Sequence, residues 1–92
     1  MSSDVIKLPK RFDYSSGSEF NAAIIKALES HKVVTLDCSE LDYIDSAGIG
    51  LMVMANKRVL SKNSKMVITN LRSSPREILL LANLQKLIEI RS

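Results

Sequence analysis

The sequence is poor in residues that carry many kinds of chemistry. Its 92 residues include one cysteine, one histidine, two phenylalanines, two tyrosines and no tryptophan. The single cysteine, Cys38, excludes an internal disulfide and a cysteine metal cluster, which fits a reducing cytosol, and we expect it to be a buried core thiol. With so few aromatic residues, the core has to be mainly aliphatic.

Long apolar runs are also missing. No segment approaches the ~18 consecutive apolar residues that a membrane-spanning helix needs. The N-terminus, MSSDVIKLPKRF, lacks the apolar core of a signal peptide. We therefore expect a cytoplasmic protein with no membrane insertion. A chain of this length supports one hydrophobic core, so residues 1–92 are expected to form a single domain.

The formal charge of +3 is modest but unevenly distributed. Residues 37–45 contain four carboxylates and no basic residue, so this segment carries −4 and the remainder about +7. The basic residues are scattered and have no aromatic residues between them. That pattern is typical of solvated surfaces rather than of a nucleic-acid site, so we expect no nucleic-acid partner.

Short apolar runs predict strands at residues 5–9, 33–38, 65–70 and 86–90. The run at 33–38 is apolar on both faces, which indicates a central strand. Segments with helical patterns separate the four runs. The resulting order, βαβαβαβ, predicts an α/β fold with a largely parallel sheet.

Capping signals predict where the helices begin. Ser16 and Glu19 form a capping box before an apolar stripe at helical spacing, which indicates the first helix. The second helix is expected over residues 46–62. The third is expected to have Ser74 as its cap and Pro75 at its first position, with Glu77 completing a box.

The segment LDYIDSAGIGLMVM places Ser46 after a carboxylate, Asp45, and before two glycines, Gly48 and Gly50. Serine is a good N-cap, so capping is the simplest role. A nucleophile would need a G-x-S-x-G turn and a histidine base, but the only histidine, His31, is expected at the end of the first helix. A phosphate-binding loop is weakly indicated, because neither a dinucleotide fingerprint nor a P-loop is complete and the carboxylates repel anions.

A phosphoacceptor role accounts for the whole segment. A hydroxyl at a strand-to-helix turn is accessible to a kinase, and the glycines allow another protein's backbone to approach closely. A phosphate adds about −1.5 to −2 charges at pH 7. The helix N-terminus tolerates these charges and the adjacent carboxylates oppose them. The residues thus favour phosphorylation of Ser46 as a switch that acts on a partner.

The second helix has an unusually wide apolar arc. At about 100° per residue it spans roughly 200°, against the ~100° that covering a sheet requires. Either the helix is unusually buried, or part of the arc contacts another protein. We favour a partner, for which Met52 and Met54 would supply an adaptable contact surface. The arc comprises Leu51, Met52, Ala55 and Val59, which lie close to Gly48, and Ile49, Val53 and Leu60 farther round.

The stretch LDCSELDYIDSAGIGLMVMANKRV closely resembles the signature of STAS domains, named for sulfate transporters and anti-sigma factor antagonists. In that signature a strand leads through a short loop to Asp-Ser-(Ser/Ala/Gly)-Gly-Leu/Ile-Gly and into a helix. LPKRFDYSSGSEFNAAI is similar to the opening of small bacterial single-domain members, so the resemblance covers about residues 5–90. It implies a STAS-like sandwich of about four strands, mostly parallel or mixed, with the helices packed mainly on one face.

The resemblance also implies a cytoplasmic anti-anti-sigma factor. Such domains bind an anti-sigma factor, often a GHKL-type serine kinase, and so free a sigma factor. The kinase brings ATP and Mg²⁺ and phosphorylates the motif serine, here Ser46. This phosphorylation releases the kinase, and a PP2C-type phosphatase later restores the serine. This chain would then have no catalytic residue, no metal site and no cofactor. Where many relatives have a second hydroxyl it has Ala47, so Ser46 has no local substitute. The implied partner contact comprises Asp45, Ser46, Gly48, Ile49, Met52 and Val53.

Two other functions remain open. A constitutive STAS subunit of a lipid-transport ABC complex would dock through the same helix without phosphorylation. An enzyme or small-molecule binder is the third class, although the sequence has no paired acid and base, metal-ligand spacing or catalytic triad to support it. Because two copies of the apolar arc are able to pair with each other, a monomer or a weak homodimer is expected.

Overall fold

The computed structural model describes residues 3–30 and 32–91, so the interpretation of His31 lies outside the described residues. Nine helices and strands are joined by short loops and by one-turn 3-10 helices at Tyr14–Ser16 and Leu84–Lys86. In chain order the elements are β1 (Ser3–Lys7), β2 (Arg11–Phe12), α1 (Gly17–Leu28), β3 (Val33–Asp37), β4 (Tyr43–Ile44), α2 (Ser46–Ser61), β5 (Lys65–Thr69), α3 (Ser73–Leu81) and β6 (Glu89–Arg91).

The main sheet contains four parallel strands in the order β1-β3-β5-β6. The strand order follows the chain order, so right-handed crossovers place α1, α2 and α3 on the same face of the sheet. The opposite face carries no helix among the described residues, and Val5 there is 61% exposed. The predicted α/β fold with a four-stranded, STAS-like sheet is confirmed.

The core lies between the sheet and the three helices. Along β3, Val34 and Leu36 are fully buried, whereas the residues that alternate with them are half-buried. The rings of Phe12 and Phe20 meet edge to face with centroids 4.9 Å apart, and most of the other buried side chains are aliphatic. Cys38 is buried, as predicted.

A second, two-stranded sheet was not predicted. β2 and β4 pair in parallel, with Arg11 opposite Tyr43 and Phe12 opposite Ile44. Each strand has two residues, which is too short to produce a hydrophobic period in the sequence. The acidic segment, residues 37–45, therefore includes a short strand that leads directly into α2.

α1 begins directly after Ser16, as predicted, but the predicted capping boxes of α1 and α3 and the predicted start of α3 were wrong. The capping box before α1 consists of Asp13 and Ser16 rather than Ser16 and Glu19, because a 3-10 turn precedes the helix and takes its own cap. α3 begins at Ser73, so Ser74 lies inside the helix and makes no capping bond. The last strand starts at Glu89 instead of residue 86, because the intervening residues form a 3-10 turn.

Candidate functional site

The site around Ser46 is built on the β2–β4 pair. The amides of Asp42 and Tyr43 both donate to the carbonyl of Lys10, at 2.8 and 2.9 Å. These bonds hold β4 beside β2, and α2 begins two residues after β4 ends. The first turn of α2 therefore lies directly against β2.

Gly48 makes this close approach possible. A Cβ at residue 48 would lie 2.3 Å from the carbonyl oxygen of Phe12 and 2.9 Å from Cγ1 of Ile44. Gly48 is buried, so its role is to pack α2 against β2. The prediction that it contacts a partner is therefore wrong. Gly50 is different: it is exposed, and an added Cβ would have nothing within 4 Å.

Asp45, not Ser46, caps α2. Its backbone is extended (φ −118°, ψ −173°), and its Oδ1 accepts a hydrogen bond from the amide of Gly48 at 2.9 Å. This is the N-cap arrangement in which a side-chain oxygen satisfies an otherwise free amide of the first turn. The interpretation of Ser46 as the cap is therefore wrong by one residue.

Ser46 is the first helical residue and is exposed. Within the part of the chain that the structure describes, its hydroxyl makes no hydrogen bond. Ala47, next to it, is also exposed. The position thus presents a primary alcohol to solvent at the start of a rigid helix.

Two of the four carboxylates in the acidic segment before Ser46, Glu40 and Asp42, are paired with cations from elsewhere in the chain. Arg11 Nε donates to Asp13 Oδ2 at 2.7 Å, Arg72 pairs with Asp42, and Lys7 lies 3.2 Å from Glu40. The sequence placed four negative charges here but did not show that Lys7, Arg11 and Arg72 converge on the same end of the sheet. Because the charge of Arg11 is balanced by Asp13, only Lys7 and Arg72 offset the segment, and they reduce its charge from −4 to about −2.

Hydrogen bonds and ion pairs shift the acidities at this end of the molecule. Bonds from Ser15, and then from Arg11, hold the pKa of Asp13 below its ordinary value. The Asn70 side-chain amide, which donates to Asp37 Oδ1 at 3.0 Å, and the Ser39 amide lower the pKa of Asp37 in the same way. Both carboxylates therefore stay ionised and hold these loops together.

The wide apolar arc of α2 faces mostly inward. Met52, Ala55 and Val59 are at most 2% exposed and belong to the core. Ile49 and Val53 are half-buried and pack against the core edge. The prediction that Met52 contacts a partner is therefore wrong, because its side chain is sealed beneath the helix.

Some apolar side chains of α2, both within this arc and beyond it, remain exposed. Met54 is 67% exposed and Leu60 is 55% exposed. Together with the accessible parts of Ile49 and Val53, they give the outer side of α2 an apolar character that begins next to Ser46.

The chemistry expected of a metal centre is not assembled in residues 3–30 and 32–91: no three His, Cys, Asp or Glu side chains there are grouped to hold an ion. Over the same residues, none of the helices combines the length and the apolar character needed to cross a membrane.

Comparison with known proteins decides the family. A family model described as "Mlab, STAS domain" matches residues 1–89. The chain belongs to the STAS domain family. The Asp-Ser-Ala-Gly motif at residues 45–48 and the helix that contains it lie within the matched residues.

Solved structures show the same STAS fold. A putative anti-sigma factor antagonist from Thermotoga maritima has a TM-score of 0.80 at 20% identity, with 96% of this chain and 79% of that chain covered. A sulfate transporter family protein from Wolinella succinogenes has a TM-score of 0.82 at 12% identity, covering 92% and 70%.

The anti-sigma factor antagonist SpoIIAA is also similar, and in two covalent states. Its unphosphorylated form has a TM-score of 0.75, and the phosphorylated form of the Bacillus protein has 0.72. Both are 17% identical to this chain and cover all of it, with 82% and 86% of SpoIIAA matched. Identities this low show the fold and do not transfer a function.

Sequence reasoning missed Arg11, Asp13 and Tyr43 as neighbours of the Ser46 segment. The guanidinium carbon of Arg11 lies 4.1 Å from the centroid of the Tyr43 ring. β2 and β4 have two residues each, which is too short for an alternating pattern to reveal them, so the sequence did not show that these residues lie together.

Proposed function

We propose that this STAS protein is a phosphorylation-switched protein-binding module. Its unphosphorylated form binds and sequesters an anti-sigma factor that is also a GHKL-type serine kinase, and phosphorylation of Ser46 releases that partner. The observation that carries the proposal is the exposed and unbonded Ser46 hydroxyl, which is free because Asp45 caps the helix. The fold shared with SpoIIAA, an antagonist known in unphosphorylated and phosphorylated forms, supports it.

Phosphorylation of Ser46 requires no catalytic group from this chain. The kinase transfers the γ-phosphoryl group of ATP to Ser46 Oγ: the new O–P bond forms, the bond to ADP breaks, and the hydroxyl proton is lost. A cytoplasmic kinase and a PP2C-type phosphatase supply the catalytic groups and the metal ions for adding and removing the phosphate. The domain contributes a positioned alcohol, and it is a binding module rather than an enzyme.

The proposed contact surface follows the accessible side of α2. Ser46, Asp45 and the outer parts of Ile49 and Val53 form it, while Gly48 and Met52 support it from inside. A phosphate at its rim loses hydration as the partner protein approaches, and it has no matching cation on that protein. A charge buried at an interface without a matching charge across it costs about 2–5 kcal/mol of binding free energy, which corresponds to a loss of roughly 30- to 4000-fold in affinity.

An affinity pull-down from the native cell, followed by binding measurements, tests the proposal. The baits are the wild type, S46A, S46D and protein carrying phosphoserine at residue 46. We expect the wild type and S46A to retain the partner, S46D to bind it less tightly, and the phosphoserine protein to lose it. S73D is the matched control, because Ser73 is also the exposed first residue of a helix. Full-strength binding by the phosphoserine protein would contradict the switch.

A second function is favoured by one of the comparisons. The Wolinella neighbour is a sulfate transporter family protein, so the fold also occurs in transport proteins. The corresponding role here is a constitutive STAS subunit of a lipid-transport ABC complex. Intact-mass measurement of the protein from its native cell separates the two: phosphate on Ser46 favours the switch, whereas co-purification with an ATPase and no phosphate favours the subunit.

A further inference from the structure

Arg11 lies on the exposed side of β2, next to β4, the strand that leads to Ser46. It sits opposite Tyr43 in the β2–β4 register, and its guanidinium lies over the Tyr43 ring. Ile44 is buried, so Tyr43 and Asp45 lie on the other side of β4. The pKa of Arg11 is raised mainly by its hydrogen bond to Asp13, and the charge of Asp45 adds a smaller contribution. The Arg11 head group therefore lies over Tyr43, on the side of β4 that also carries Asp45, and Tyr43 is three residues before Ser46.

The guanidinium has unused hydrogen-bonding capacity. It is anchored through Nε, which donates to Asp13 Oδ2 at 2.7 Å. The other oxygen of Asp13 is occupied by the Ser15 amide and hydroxyl, at 3.0 and 2.6 Å. Neither Nη group of Arg11 makes a hydrogen bond to any residue that the structure describes, and the side chain is 65% exposed. Four N–H donors thus point to solvent from a group already held by Asp13 and Tyr43.

We propose that Arg11 is the internal counter-ion of the phosphoryl group on Ser46, to which its two Nη groups donate while Nε remains on Asp13. The inference rests on the proposed phosphorylation of Ser46 and adds how the domain itself accommodates the new charge. Arginine suits this role because its planar fork matches phosphate oxygens in pairs. A guanidinium that is already immobilised loses little conformational entropy on binding.

The other charged groups near the segment are engaged differently. Asp45 is bonded to the Gly48 amide and opposes a phosphate electrostatically. Asp13 competes for the guanidinium, although only for Nε. Two other cations lie at this end of the sheet: Lys7 pairs with Glu40, and Arg72 uses Nη1 for Asp42. Arg11 is favoured over Arg72 because both of its Nη groups are free of protein partners.

The test uses full-length protein with phosphoserine installed at residue 46 during translation, so that it needs no kinase. The second ionisation of the phosphate is followed by ³¹P NMR against pH in the wild type, R11Q and R72Q. Glutamine keeps a side-chain N–H for Asp13 but removes the positive charge. We expect R11Q to raise the phosphate pKa by about half a pH unit or more, since a nearby opposite charge favours the ionised form, and R72Q to raise it less.

A second measurement needs no Arg11 variant. In the phosphorylated wild type, the ¹⁵N signals of the Arg11 guanidinium should follow the phosphate titration, whereas those of Arg58, at the far end of α2, should not. An unchanged phosphate pKa in R11Q, an equal or larger shift in R72Q, or silent Arg11 signals would overturn the inference. None of these outcomes depends on partner binding, so the inference and the proposed switch fail separately.

Discussion

At the scale of single residues, Gly48 and Gly50 have opposite surroundings although two positions separate them in α2. A methyl group at 48 meets the backbone of β2 and the side chain of Ile44, whereas one at 50 meets solvent. We expect G48A to lower the free energy of unfolding by about 2 kcal/mol or more, as overpacked cores do. G50A should raise it by up to about 1 kcal/mol, because alanine favours a helix. Urea denaturation measures both, and equal effects would contradict the assigned packing.

Cys38 is the other residue whose chemistry is set by burial. Burial raises the pKa of its thiol from 9.0 to about 12, so at pH 8 the folded protein carries roughly 1000-fold less thiolate than the unfolded chain. We expect iodoacetamide to modify the native protein slowly and the urea-unfolded protein rapidly, as followed by intact mass. C38A provides the unlabelled control. Native labelling at the unfolded rate would show that the thiol is accessible.

At the scale of elements, the start of α2 depends on the Asp45 side chain. D45A removes the oxygen that accepts from the Gly48 amide and should lower the free energy of unfolding by about 1 kcal/mol. D45N keeps a capping oxygen and should stay close to wild type. S46A should change stability by less than about 0.5 kcal/mol, because no described residue bonds the Ser46 hydroxyl. If S46A lowered the free energy of unfolding more than D45A, Ser46 rather than Asp45 would be the N-cap of α2.

The same element shows how far the sequence determines the site. The Asp-Ser pair predicts a helix start, but both residues cap well, so only the backbone geometry decides that Asp45 caps and Ser46 is free. Helical spacing places Met52 and Val53 on the apolar arc, but how much of the arc a small sheet covers depends on tertiary packing. Met52 became core and Val53 an edge residue for that reason.

Longer patterns were more informative than short ones. Three of the four main strands and the three helices follow from patterns extending over five or more residues, whereas the predicted last strand at 86–90 coincides only in part with the three-residue β6. β2 and β4 have two residues each and are stabilised by contacts between segments about thirty residues apart, which no local pattern encodes. The convergence of Arg11, Asp13, Tyr43 and Asp45 depends on that pairing and was therefore absent from the sequence-based site.

At the scale of the whole molecule, carboxylates tie together the loops and the sheet edge. Asp37 joins the ends of β3 and β5 through Asn70, Asp13 is held by Ser15 and Arg11, and Glu89 is held by Lys65 and Arg91. Hydrogen bonds and ion pairs lower the pKa of all three. A carboxylate with a depressed folded pKa binds protons less readily than in the unfolded chain. It therefore stabilises the fold above its ordinary pKa, and this stabilisation is lost as the pH falls through the folded value.

The acid limb of the stability profile follows from this sign. The ordinary values are 3.8 for aspartate and 4.5 for glutamate, so we expect these groups to add no pH dependence near neutrality and to weaken the fold as the pH falls below about 4.5. Urea denaturation between pH 7 and pH 3 measures the effect. D37N should be less stable at pH 7 but lose less stability on acidification than the wild type, since its amide has no proton to bind. E77Q is the control, because Glu77 is exposed and has no described partner, and it should follow the wild-type profile. A D37N profile parallel to that of the wild type would show that Asp37 does not link the ends of β3 and β5 through its charge.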